Sequence, residues 1–123
     1  MKLLKLFLPI IVSLPLWAGH IITVKVDSLS YRVDLDTVKT VVLNSKRAVP
    51  VENIAKALKL PHNASYRFIG DDGYYPEKDI PFKKLKYGFI FLDNRNLYWI
   101  SKANLTHCYN VKNVKFIKVI GNK

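Results

Sequence analysis

A small α+β domain, mixed β-structure with one short helix, is what this 123-residue sequence predicts, and three observations carry the prediction. Beyond residue 20, most of the chain falls into short runs with apolar, often β-branched residues at every second position, the period of a half-buried strand. One segment, residues 51–60, changes to the helical spacing i, i+3, i+4, i+7. Clusters of Gly, Pro, Asn, Asp and Ser punctuate the runs. The length holds a single domain with one modest core and excludes a two-domain enzyme. One Cys excludes an internal disulfide framework.

Residues 1–18 stand apart from the fold. Lys2 and Lys5 precede an apolar run from Leu6 to Trp17, and Ala18-Gly19 places small residues at its end, the pattern of a secretory signal peptide. The run is shorter than the roughly 20 apolar residues a membrane span needs. The expectation is an exported protein, periplasmic or secreted, with residues 19–123 as its one domain. Retained, the same segment would tether the domain to a membrane, and an intact Met1 in the exported product separates the two cases.

The elements follow in order. Residues 21–26, 30–35 and 38–43 read as a meander of two or three strands, with Asp27-Ser28 and Asn44-Ser45 as turns. Val51, Ile54, Ala55 and Leu58 then form one apolar stripe of a helix, with Pro50 at its first turn and Pro61 ending it. So short a helix is stable only when packed on the strands. Residues 65–69 return to alternation, with Tyr66 and Phe68 on one face, and lead into a turn at Gly70-Asp71-Asp72-Gly73, whose two glycines permit positive φ. A polar, proline-broken connection over 75–86 precedes strands at 88–92, 97–101 and 111–120. The first two of these read as a hairpin through Asp93-Asn94-Arg95-Asn96.

Four stretches carry a resemblance. Residues 49–58, Val-Pro-Val-Glu-Asn-Ile-Ala-Lys-Ala-Leu, are similar to a helix that begins Gly-Val-Pro-Leu-x-x-Leu-Leu, and residues 66–74 to a strand running into Asp-Gly-Tyr. Residues 89–99 resemble a strand pair carrying Asp-Gly-x-x-Leu, and residues 109–117 a closing strand Trp-Val-Lys-x-Val-x-x-Ile. In that order they resemble small domains related to the molybdopterin-binding fold of sulfite oxidase-like oxidoreductases, over residues 49–121. The resemblance implies that fold. In catalytic members it also implies a cysteine thiolate on molybdenum from the earlier half of the domain, with Arg, His and Lys around the pterin phosphate. Here no cysteine precedes Cys108, which falls where the resemblance puts no metal ligand, and Asn94 stands in place of the glycine of Asp-Gly. These departures argue against molybdopterin as a cofactor. The expected function is therefore a non-catalytic binding or accessory module. A periplasmic oxidoreductase or electron-transfer component that keeps a pterin or metal ligand is the alternative.

The candidate contact residues are Asp72, Gly73, Tyr74, Arg95, Trp99, His107 and Cys108. Asp71 and Asp72 beside Gly73 lack the ligand spacing of a calcium loop and read as turn chemistry. His107 and Cys108, if on an extended strand, point to opposite faces and share neither a metal nor a proton. Cleavage after Ala18 would make His20 the second residue of the mature chain, where an amine, an amide and an imidazole chelate Cu²⁺; the plainer reading is a disordered terminus. Tyr74, Tyr75, Tyr87, Tyr98, Trp99 and Tyr109 supply both core and any recognition surface.

The net charge of +11 is carried by lysine far more than by arginine, the latter present only at positions 32, 47, 67 and 95. Lysines gather late in the chain at 83, 84, 86, 102, 112, 115, 118 and 123. The field attracts an acidic protein or an anionic surface. Export and the scarcity of arginine speak against nucleic acid.

Overall fold

A computed structural model describes residues 20–121, so the signal-like segment 1–18 and Lys123 lie outside the described residues. Among the described residues two sheets and one α-helix enclose a single core, the expected α+β class. Sheet one has the order β2-β1-β9-β5-β6, from β1 (Ile21–Val26), β2 (Leu29–Asp34), β5 (Ser65–Gly70), β6 (Ile80–Pro81) and β9 (Val114–Ile120). Sheet two has the order β3-β4-β7-β8, from β3 (Val41–Leu43), β4 (Lys46–Pro50), β7 (Gly88–Phe91) and β8 (Leu97–Trp99). In sheet one β9 lies between β1, to which it is parallel, and β5, to which it is antiparallel.

The period-2 runs explain the faces. Ile22 and Val24 of β1, Tyr66 and Phe68 of β5 and Ile117 of β9 point inward and are almost wholly buried. Sheet two answers with Val49, Ile90, Leu97 and Trp99. The sheets meet where the Phe68 and Trp99 rings pack edge to face, centroids 5.7 Å apart. Gly88 lies directly opposite Trp99 in the β7–β8 ladder, and a Cβ there would sit 2.6 Å from the indole ring. The position is glycine because the indole occupies the space of a side chain.

The helix α1 (Val51–Leu58) buries Val51, Ile54 and Ala55 and packs on β4, β7 and a 3-10 segment, Phe82–Tyr87. It stops two residues before the expected end. Lys59 takes a left-handed conformation and the Leu60 amide donates to the Ala55 carbonyl, a local closure that turns the chain before Pro61 acts. Pro50 is the N-cap and the last residue of β4, not a first-turn residue. Burial pushes the Tyr66 phenol up to about 12, and its hydroxyl donates to the Pro61 carbonyl just beyond the helix.

Several sequence expectations are corrected. The three early runs are not one meander: β1 and β2 form a hairpin in sheet one, whereas β3 turns through Asn44 and Ser45, both at positive φ, to pair with β4 in sheet two. The connection 75–86 contains β6 and most of the 3-10 segment. The closing strand begins at Val114, and β8 stops at Trp99. Of the two turn glycines only Gly73 has positive φ, 88°. Gly70 is needed instead because a Cβ there would meet the Lys112 carbonyl at 2.7 Å. His20 is tethered: its imidazole Nδ1 lies 3.0 Å from an Asp36 carboxylate oxygen, and its carbonyl accepts from the Leu35 amide. No helix among the described residues is long and apolar enough to cross a membrane.

Candidate functional site

Three loops converge at one end of the molecule: the turn after β5, the turn between β7 and β8, and the irregular segment 104–113 before β9. Asn113 joins them. Its φ of 48° lets its backbone and side chain face different loops at once. The backbone amide donates to Asn96 Oδ1 at 2.9 Å, and the carbonyl accepts from the Asp71 amide at 3.0 Å. Its side-chain Oδ1 accepts from Arg95 Nε at 2.9 Å, while Nδ2 donates to Asp71 Oδ2 at 2.6 Å. A second tie is the Tyr74 hydroxyl, which donates to the Cys108 carbonyl at 2.6 Å. Asp72 holds the turn by accepting from the Tyr74 amide at 3.0 Å.

Five of the seven candidates, Asp72, Gly73, Tyr74, Arg95 and Cys108, thus belong to this clasp, where each one's described contact fixes loop geometry. Trp99 does not. It is 6% exposed, its indole N–H donates to the Tyr109 carbonyl, and it serves the core. His107 and Cys108 sit on one exposed 3-10 turn, His107–Tyr109, where strand alternation does not apply. The expectation of opposite faces therefore gives way to a single turn; the Cys108 thiol lies 2.8 Å from the Thr106 hydroxyl. Among the described residues no three His, Cys, Asp or Glu side chains are grouped to hold a metal ion.

Beside the clasp lies a half-open groove of about 420 Å³, lined by Lys46, Phe91, Asn96, Tyr98, Asn110 and Lys112 among others. Phe91 and Tyr98 form an aromatic pair, centroids 6.3 Å apart. The amides have a direction. Asn110 Oδ1 accepts from the Trp99 amide, Asn96 Oδ1 from the Asn113 amide, and Asn94 Oδ1 from the Asn96 amide. With the carbonyl end of each side chain committed to backbone, the Nδ2 end is the one left to donate. Two lysines join them: Lys46, 3.5 Å from Asp93, and exposed Lys112. The groove is a donor-rich concavity with an apolar aromatic wall. Sequence reasoning missed it because its residues come from four separated turns and strands and share no motif.

No family model matches the chain, and no curated protein or solved structure matches it either.

The late lysines separate in space. Lys83, Lys84 and Lys86 lie on the 3-10 segment beneath α1, Lys112 rims the groove, and Lys115 and Lys118 stand on β9. With Lys102 on yet another 3-10 turn, Ser101–Ala103, the cluster in sequence is scattered in the fold.

Proposed function

We propose that this chain is an exported, non-catalytic binding module that takes an acidic segment of a protein partner into the groove beside the clasp. The observation that supports the reading is the set of asparagines whose acceptor ends are committed to backbone amides, leaving donors beside Lys46 and Lys112. Amide donors beside two ammonium groups, one of them balanced only by an exposed Asp93, favour carboxylates, and charge-assisted bonds of this kind are the stronger sort. Phe91 and Tyr98 add an apolar wall for the partner's neighbouring side chains. On this reading the clasp is scaffold, and the molybdopterin-like resemblance concerns architecture without cofactor chemistry.

The test uses protein purified from an exporting host. Titration with poly-L-glutamate is expected to show saturable binding, weakened more than about tenfold by Lys46→Gln combined with Lys112→Gln. Binding equally strong in that variant overturns the groove as the site. Stoichiometric molybdenum with a fluorescent pterin in the same preparation overturns the cofactor-free module.

A further inference from the structure

The outer face of sheet one carries a charge arrangement that its own fold does not balance. In register across three adjacent strands stand Lys25 on β1, Lys118 on β9 and Arg67 on β5. Neighbouring strands are about 4.8 Å apart, and like charges directly opposite one another destabilise a sheet. Asp79 neutralises only Arg67, whose Nε lies 2.8 Å from it and whose guanidinium also rests on the Tyr75 ring. Lys25 and Lys118 are exposed, and exposed Arg32 extends the patch on β2.

Apolar groups lie between these charges. In the next row, Phe116 on β9 pairs with Thr23 on one side and Ile69 on the other, each half-buried, and Lys25 Nζ sits 4.5 Å above the Phe116 ring. Tyr75, 46% exposed, flanks the same face.

We propose that this face docks the domain on an anionic phospholipid bilayer. The inference is independent of the groove, which lies on sheet two. A second copy of the chain would bring the same positive charge and is repelled. Lipid phosphates are mobile and close up to meet ammonium groups held one strand apart. The long lysine stems let the charges reach the headgroup layer while Phe116, Ile69 and Tyr75 meet its apolar boundary. Lysine suits a hydrated headgroup surface as a point charge, where bidentate arginine geometry is not required.

The experiment is co-sedimentation of the exported protein with phosphatidylcholine vesicles, with and without phosphatidylglycerol. Binding is expected only with phosphatidylglycerol, and it weakens as salt is added. Each lysine at the surface contributes about fivefold, so Lys25→Gln with Lys118→Gln is expected to lose on the order of 30-fold. Lys83→Gln with Lys102→Gln removes the same charge elsewhere and is expected to leave binding nearly unchanged. Relief of like-charge contact predicts an unchanged or higher melting temperature for the first pair. Should that pair disturb folding, Lys118→Gln alone carries the test with about a fivefold loss. No binding to phosphatidylglycerol vesicles, equal losses in both pairs, or binding only by protein that keeps Met1 each overturns the proposal.

Discussion

The junction of the two sheets and the clasp at the loop end hold the molecule together by different physics. At the junction, Phe68, Trp99 and Gly88 fit by shape: one ring meets another edge-on, and a missing Cβ admits the indole. In the clasp, Asn113, Asp71, Arg95, Tyr74 and Asn96 are held by directed hydrogen bonds among half-buried and exposed residues. The first tolerates no added volume. In the second, water replaces what a substitution removes, so each bond's net contribution is small.

Substitutions can break that contrast, beginning where the effect is largest. Gly88→Ala forces a methyl into an indole pinned by Phe68 and by its bond to the Tyr109 carbonyl, and is expected to cost about 3 kcal/mol in urea unfolding. A cost below about 1 kcal/mol would show that the junction yields.

Tyr66 gives a pH test of the same core. Its phenol, pushed up to about 12 from 10.0, keeps its proton in the folded state where the unfolded chain loses it. That stabilisation is fully present below pH 10 and disappears as pH rises toward 12, a loss on the order of 2 kcal/mol. Unfolding midpoints measured across this window should fall for the native protein and fall less for Tyr66→Phe.

Asn113→Ala removes both side-chain bonds that join Arg95 to Asp71, puts alanine at a left-handed φ that asparagine tolerates better, and is expected to cost about 2 kcal/mol. Amide exchange should quicken in all three loops of the clasp while Phe68 and Trp99 stay protected. Smallest is Cys108→Ser, within about 0.5 kcal/mol, because the thiol is exposed and its one described contact is to a neighbouring hydroxyl. Loss of a bound metal or chromophore in this variant would contradict the expectation that the Cys108 side chain can be replaced without loss of fold or function.

The same contrast explains what could be read from the sequence. Burial imposes period: Ile22 and Val24, Tyr66 and Phe68, Val51 and Ile54 announce strand, strand and helix because each must face one core. β4 was hidden because its first half, Lys46-Arg47, lies exposed, and only Ala48 and Val49 bury. β6 has two residues and no period at all. The clasp was half legible. Asp72, Gly73, Tyr74, Arg95 and Cys108 drew notice as chemically distinctive residues, but Asn113, which binds their loops together, looks like any turn asparagine until its positive φ is known. Register is equally silent in sequence: nothing in the spacing of Lys25, Arg67 and Lys118 says that they share a row.

The placement of β9 has a kinetic consequence. The first strand of the described fold finds one of its two partners only in the last, and the central position of sheet one stays vacant until residues 114–120 leave the ribosome. Such distant pairing closes the longest loop the domain contains and makes folding late and comparatively slow. Until then the nascent β1–β2 hairpin and β5 have no shared neighbour. Truncation within β9 is accordingly expected to abolish folding as a whole, where loss of an edge strand would leave the remaining sheet paired.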